Sequence, residues 1–208
     1  MIIPAGGGGD RKERLIFLGV RYSAGIIVDI MLLRVFQRQL ALQCKFLLLA
    51  AEEADRGVRQ RDVDLTFYAL QNVLSAAANI SKALWGQRGR FATERAPLRD
   101  SIAIGDDSSL KNVAMRNNFE HFDERLEKWW NESARHSHVD LCIGAKNRTL
   151  VGVDEIDQFR SFDPETSDIT FWGQDFNLAK IVDEVRRIAP KLEEEATKPP
   201  TRHQPLRA

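Results

Sequence analysis

Residues 109–130 read SLKNVAMRNNFEHFDERLEKWW, and this stretch decides the fold expected of the chain. It contains neither proline nor glycine, and its apolar residues recur at helical spacing, so the pattern predicts one long amphipathic helix. The helix is expected to begin at a cap on Ser108 or Ser109 and to end near Ser133. Five apolar residues form the narrow stripe that is expected to pack on a core: Met115, Phe119, Phe122, Leu126 and Trp129.

The polar face of this helix carries two side chains that suit phosphate chemistry. Arg116 supplies a fixed positive charge, and His121 belongs to the residue type that exchanges protons near neutral pH. On an ideal helix these residues lie roughly 140° apart, so convergence on one atom requires a kink or a second subunit. The alternative interpretation is an ordinary solvated face, because Glu120 lies four residues from Arg116, a spacing typical of exposed ion pairs.

Residues 116–130, RNNFEHFDERLEKWW, resemble the signature of the HEPN superfamily. In that signature an arginine and a polar residue precede a histidine that follows after four to six intervening positions. The resemblance covers residues 29–133 and implies a helical bundle that dimerises with its motif helices facing each other. It also implies that Arg116 and His121 are a catalytic pair and that Asn117 is the polar orienting residue.

The activity implied by the resemblance is a metal-independent endoribonuclease of the toxin or phage-defence type, with no cofactor. His121 would move a proton at the 2′-hydroxyl or at the 5′-oxygen, and Arg116 would stabilise the charge that develops on the phosphorus. RNA, a second copy of the chain and an antitoxin or nucleotidyltransferase-type protein are the partners that it implies. Some family members keep the fold without cleavage, so a non-catalytic RNA- or protein-interaction module is the alternative.

Composition limits where nucleic acid can bind. Thirty basic and thirty acidic residues cancel, so any nucleic-acid surface has to be local. The segment from Gly86 to Arg99 is locally basic, since its arginines are accompanied by Glu94 alone among acidic residues. These arginines are candidate RNA-binding residues, with a plain basic surface loop as the alternative: Arg88, Arg90, Arg95 and Arg99.

Two further clusters have simpler interpretations. His136, His138 and Asp140 alternate and would share one face of an extended strand, but without a second cluster of ligands a structural or surface role is favoured. We therefore predict no metal site. Trp129 and Trp130 are candidates for base stacking, and one of them is expected to pack inward.

Cysteine and apolar patterns indicate a cytoplasmic protein without a membrane partner. Cys44 and Cys142 are predicted to be buried free thiols in a reducing compartment. The apolar segment 15–33 is interrupted by Arg21 and Asp29, whose charges disfavour a membrane span.

The predicted fold is mainly α. A lead segment at 1–28 is expected to precede an HEPN-like bundle of about four helices at 29–135. A small β-rich element with a final helix follows at 136–190, and a disordered tail is expected at 191–208.

The local boundaries follow from caps and turn residues. Helices are predicted from Asp29 to a stop at Gly57, from Asp62 or Asp64 to Gly86, and over 96–103. Strands are predicted over 139–143 and 149–153, joined by a turn at Lys146-Asn147, and then over 156–162 and 168–172. The last helix is expected to begin at Phe176 or Asn177 and to end at Pro190.

Overall fold

The computed structural model describes residues 21–23, 26–28 and 30–198. Two short strands, β1 (Arg21–Ser23) and β2 (Ile26–Val28), pair antiparallel within the predicted lead segment. The predicted cap at Asp29 and residues 15–20 of the apolar segment lie outside the described residues. Among the helices that are described, none combines the length and the apolar character needed to cross a bilayer.

The described part of the chain contains seven α-helices and is 66% helical, which confirms the mainly α class. Short 3-10 turns at Gln87–Gly89, Ser109–Lys111 and Glu155–Asp157 separate some of them. The helices are α1 (Ile30–Gln60), α2 (Val63–Trp85), α3 (Ala96–Ser101), α4 (Ala114–Glu120), α5 (Phe122–Glu132), α6 (Lys146–Thr149) and α7 (Leu178–Thr197).

The caps of α2 match the prediction, whereas the end of α1 does not. The Asp62 carboxylate accepts a hydrogen bond from the Leu65 N–H at 2.9 Å, and Gly86 ends the helix with φ +78°. The predicted stop at Gly57 is wrong, because α1 continues to Gln60. Gly57 instead allows a close approach, since a Cβ there would lie 2.5 Å from Thr66 Oγ1.

Three long helices form the bundle, where about four were expected. Helix α1 packs along α2 on one side and along α7 on the other, so the last helix belongs to the main core rather than to a separate C-terminal element. One continuous hydrophobic cluster runs through all three. Its most deeply buried members include Leu40 and Leu47 of α1, Leu70, Val73 and Ile80 of α2, and Ile181, Val185 and Ile188 of α7.

Helix α7 begins where it was predicted and ends later. The Asn177 side chain caps it by accepting a hydrogen bond from the Lys180 N–H at 3.1 Å. The predicted end at Pro190 is wrong, because the helix continues through that residue to Thr197. Buried Leu192 and an ion pair between Arg34 and Glu195 attach this last part to α1, so the ordered structure extends past residue 191. Residues 199–208 lie outside the described residues.

A four-stranded sheet is formed by the chain between α5 and α7. Its strands are adjacent in chain order, with β3 parallel to β4 and the remaining pairs antiparallel. They are β3 (Cys142–Ile143), β4 (Ser161–Asp163), β5 (Asp168–Phe171) and β6 (Gln174–Asn177).

The predicted hairpin between 139–143 and 149–153 is wrong. Lys146 and Asn147 begin helix α6 instead of a hairpin turn, and the Gly144 N–H donates to the Phe162 carbonyl at 2.9 Å, which directs β3 to β4. Of the predicted strand 156–162 only Ser161 and Phe162 belong to a strand, with an isolated bridge between Gln158 and Val139, whereas the predicted strand at 168–172 agrees with β5. Strand β6 was not predicted.

Both cysteines are free, as predicted. Cys44 lies in the helical core, where burial raises the pKa of its thiol to about 12. Cys142 is only partly buried at the edge of the sheet, and burial raises its pKa as well. Neither side chain therefore has the thiolate character of a reactive cysteine.

Candidate functional site

The motif segment is not one helix, because it bends at His121. Helix α4 ends at Glu120, α5 begins at Phe122, and His121 lies between them with φ −97° and ψ 43°. The predicted helical start at residue 109 is also wrong, since Ser109–Lys111 is a separate 3-10 turn.

The bend divides the predicted apolar stripe. Met115 and Phe119, before the bend, are buried against α2 and the sheet, where the Phe119 ring lies 6.4 Å from that of Phe171. After the bend, Phe122 is 59% exposed and Leu126 is 38% exposed. The prediction that the whole stripe packs on the core is therefore correct for Met115 and Phe119 of α4 and for Trp129 of α5, but not for Phe122 and Leu126.

At the bend lies a cleft of about 540 Å³. The end of α2 and the turn that follows it contribute Lys82 and Arg88 to one side. Arg116, Asn117 and His121 contribute to the other side, so the structure brings the three predicted catalytic residues to one cleft together with one of the four predicted RNA-binding arginines.

The cleft is strongly cationic although the chain as a whole is neutral. Five of its lining residues are basic and none is acidic: Lys82, Arg88, Lys111, Arg116 and Arg125. Sequence reasoning assigned no site role to Lys82, Lys111 and Arg125. Signals were available for two of them: Lys82 lies in the last turn of α2, beside the arginine-rich segment, and Arg125 lies four residues from His121.

Three carboxylates around the rim neutralise part of this charge. Glu120 pairs with Arg116, Asp106 pairs with Lys111 at 3.3 Å, and Glu124 lies 4.0 Å from Arg125. Lys82 and Arg88, in contrast, form no ion pair with any described residue. The uncompensated charge of the cleft therefore lies on the α2 side.

The guanidinium of Arg116 is held in a fixed orientation. One terminal nitrogen pairs with the Glu120 carboxylate, and the other donates a hydrogen bond to Asn117 Oδ1 at 3.3 Å. Its Nε is buried and has no hydrogen-bond partner in the described structure.

The imidazole of His121 remains accessible. Its side chain is 51% exposed, and its Nδ1 lies 3.6 Å from Glu124 Oε1, which is longer than a hydrogen bond. A histidine at the bend between two helices, with half of its side chain exposed, can therefore reach a ligand in the cleft.

The structure does not gather the other predicted arginines at the cleft. Arg99 is only 8% exposed and donates to the carbonyls of Leu84 and Ala92 at 2.9 and 2.7 Å. Arg95 donates to the carbonyls of Lys82 and Ala83. Both satisfy carbonyls at the C-terminal end of α2, a role typical of basic residues near helix ends. Arg90 is exposed but does not line the cleft.

The alternating residues His136, His138 and Asp140 point to separate partners. Asp140 forms an ion pair with Arg160. The His136 ring lies 4.4 Å from that of Trp130, and the His138 ring lies 4.4 Å from that of Phe159. Within the described residues no group of three or more histidine, cysteine, aspartate and glutamate side chains is arranged to hold a metal ion.

The β-rich element anchors α5. Asp157 is completely buried and accepts hydrogen bonds from Trp129 Nε1 at 2.8 Å and from Ser133 Oγ at 2.6 Å. Trp129 thereby packs inward whereas Trp130 is 64% exposed, which confirms that one of the two tryptophans packs inward. Sequence reasoning missed Asp157, because nothing local distinguishes it from the surface carboxylates around it.

The Asp157 anchor predicts a specific pH dependence of stability. The Ser133 hydroxyl lowers the pKa of Asp157 against the effect of burial, and the Trp129 indole acts in the same direction. A lowered pKa contributes stability above about pH 4, the range of the unfolded carboxyl, and this contribution is lost as pH falls further. We expect Asp157→Asn to be less stable than the wild type at pH 7 and to lose less stability between pH 5 and pH 3.

Urea unfolding followed by tryptophan fluorescence measures this difference. Asp183→Asn is the matched control, because that carboxylate is exposed and pairs only within its own helix. Equal pH slopes for the wild type and Asp157→Asn would contradict the role assigned to this buried anchor.

The chain matches no protein-family model, no curated protein and no solved structure. The cleft is therefore the basis for assigning a function.

Proposed function

We propose that the protein is an HEPN-like, metal-independent endoribonuclease whose active site is the cationic cleft at the bend of the motif helix. One observation carries the proposal: Arg116, Asn117 and His121 line the same cleft, although an ideal helix would separate the arginine from the histidine. The bend at His121 supports the proposal, because it breaks the ideal helical geometry that would separate the two side chains.

The proposed reaction is attack of the ribose 2′-hydroxyl on the adjacent phosphorus. The new P–O2′ bond forms as the P–O5′ bond breaks, giving a 2′,3′-cyclic phosphate and a free 5′-hydroxyl. A base accepts the proton of the 2′-hydroxyl, and an acid gives a proton to the 5′-oxygen. Because DNA lacks the 2′-hydroxyl, it is not a substrate.

Each side chain has a role that fits its surroundings. The accessible imidazole of His121 is free to carry a proton to or from the ligand. The Arg116 guanidinium, oriented by Asn117 and Glu120, stabilises charge on the non-bridging oxygens with a fixed donor fork. The Glu120 carboxylate is itself paired with Arg116, which reduces its repulsion of phosphate.

A homodimer is part of the proposal. Phe122, Leu126 and Trp130 follow one another at four-residue spacing on α5, and all three are exposed apolar residues. Their stripe begins immediately after His121, so a symmetric contact through α5 would bring two copies of the cleft together. One His121 would then act as the base and the other as the acid.

The test is cleavage in the absence of available metal. Single-stranded RNA and DNA of the same sequence are incubated with the purified protein in excess EDTA. We expect RNA fragments that end in cyclic phosphate and intact DNA. RNA that is bound but never cut would overturn the enzyme assignment and support the alternative of a non-catalytic RNA-binding module.

A further inference from the structure

We propose that the cleft has two phosphate subsites, which hold successive phosphates of one RNA strand. The first subsite contains Arg116 and His121, and the second contains Lys82 and Arg88. This inference rests on the proposed function for its ligand class, since it takes a single-stranded nucleic acid as the occupant. It adds the opposite side of the cleft, formed by α2 and the turn after it, to the binding surface.

The size of the cleft supports more than one phosphate. Its volume of about 540 Å³ falls in the range of roughly 300–1,000 Å³ that holds whole small-molecule ligands. A lone phosphate group occupies only a fraction of that space. A segment of strand that includes neighbouring nucleotides fills it better.

The distribution of charge indicates where the second phosphate binds. Arg116, Lys111 and Arg125 all have a nearby carboxylate, so much of their charge is already balanced. Lys82 and Arg88 have none among the described residues, and they lie together on the α2 side. Binding of a phosphate there neutralises two cations without displacing an internal ion pair, which makes it the more favourable electrostatic contact.

The arrangement of the α2 end leaves these two side chains free for a ligand. The carbonyls of Lys82, Ala83 and Leu84 already accept hydrogen bonds from the guanidinium groups of Arg95 and Arg99. Arg95 and Arg99 thus perform the capping that Lys82 or Arg88 would otherwise provide. Of the basic residues near the end of α2, Arg95 and Arg99 complete the fold, and Lys82 and Arg88 line the cleft.

The experiment compares short strands that differ by one phosphate. Uncleavable 2′-deoxy oligonucleotides with one or two internucleotide phosphates are titrated into the wild type and into a Lys82→Ala, Arg88→Ala double variant, with affinity measured by calorimetry. In the wild type we expect the second phosphate to raise affinity about tenfold, the effect of one charge-assisted contact. In the double variant we expect this gain to disappear.

Arg90→Ala is the matched control, because Arg90 is an exposed arginine of the same segment outside the cleft lining. It should keep the full gain. Thermal unfolding checks that the double variant is folded, and a Lys82→Gln, Arg88→Gln variant replaces it if it is not. No gain in the wild type, or an equal gain in the wild type and the folded double variant, would overturn the second subsite.

The outcomes separate this inference from the proposed activity. A length-dependent gain that requires Lys82 and Arg88, with RNA left uncut, would support the subsite and overturn the nuclease. RNA cleavage with no such gain would support the nuclease and overturn the subsite.

Discussion

The His121→Ala variant is expected to cut RNA at least about 100-fold more slowly than the wild type, because it lacks the group that moves protons in the proposed reaction. Its stability should be unchanged. The imidazole is half exposed and its side chain makes no hydrogen bond with a described residue, and histidine and alanine share the same backbone restrictions at φ −97° and ψ 43°. Loss of activity without loss of stability therefore identifies a role in chemistry.

The measurement is the initial rate of cleavage of a labelled single-stranded RNA in EDTA, with thermal unfolding recorded on the same samples. His138→Ala is the matched control, since His138 is an exposed histidine that packs on Phe159 away from the cleft. The His121→Ala and His138→Ala variants should bind the uncleavable 2′-deoxy oligonucleotide with similar affinity. Wild-type cleavage rates in His121→Ala would show that the activity belongs elsewhere.

Capped helices were the part of the fold that the sequence could predict. Asp62 and Asn177 accept hydrogen bonds at the starts of α2 and α7, because a short polar side chain before an apolar periodic run satisfies the free N–H groups there. Such signals are local in the chain and need no knowledge of the tertiary structure.

Helix ends that depend on packing were not predictable in the same way. Gly57 and Pro190 usually signal an end, yet both lie inside helices. At Gly57 the decisive contact is the backbone of Thr66 on the next helix, and beyond Pro190 it is the burial of Leu192 in the bundle. Tertiary burial outweighs local propensity in both places.

The candidate site was predicted in its residues but not in its geometry. Residues 109–130 include neither glycine nor proline, so no residue of this segment predicts a bend at His121. The two halves of the motif have different anchors: Phe119 contacts Phe171, whereas Trp129 donates its indole N–H to buried Asp157. Both anchors belong to the C-terminal β-rich element, whose strands were the least well predicted part of the chain.

The four arginines of the 88–99 segment illustrate the same limit. Their shared sequence context predicts one basic surface, but the direction of each side chain depends on the free carbonyls at the end of α2. Charge patterns report how many cations a segment has, and only the structure separates those that bind the protein's own backbone from those that face a ligand.

Arg99→Ala is expected to lower the free energy of unfolding by about 3 kcal/mol. The guanidinium is 8% exposed, donates to two backbone carbonyls and lies 5.7 Å from the centre of the Trp85 ring. Alanine removes these contacts and leaves the buried carbonyl of Leu84 and the partly buried carbonyl of Ala92 without this donor. Arg99→Lys should recover only part of the loss, because both hydrogen bonds come from Nη1 at the end of a planar guanidinium that also lies over the Trp85 ring, and an ammonium group does not reproduce that position and shape.

Urea denaturation with a shared m value measures the difference in the free energy of unfolding between the variant and the wild type. Arg90→Ala serves as the control, and its free energy of unfolding is expected to stay within about 0.5 kcal/mol of the wild-type value. The second measurement is the affinity of the folded Arg99→Ala protein for the uncleavable 2′-deoxy oligonucleotide. This affinity should stay close to that of the wild type. A stable Arg99→Ala variant with weakened strand binding would reverse the assignment, because it would place this arginine on the nucleic-acid surface. Lost stability together with retained binding is expected only if Arg99 holds the end of α2 in place. That role would also explain why the neighbouring Lys82 and Arg88 remain available to a ligand in the cleft.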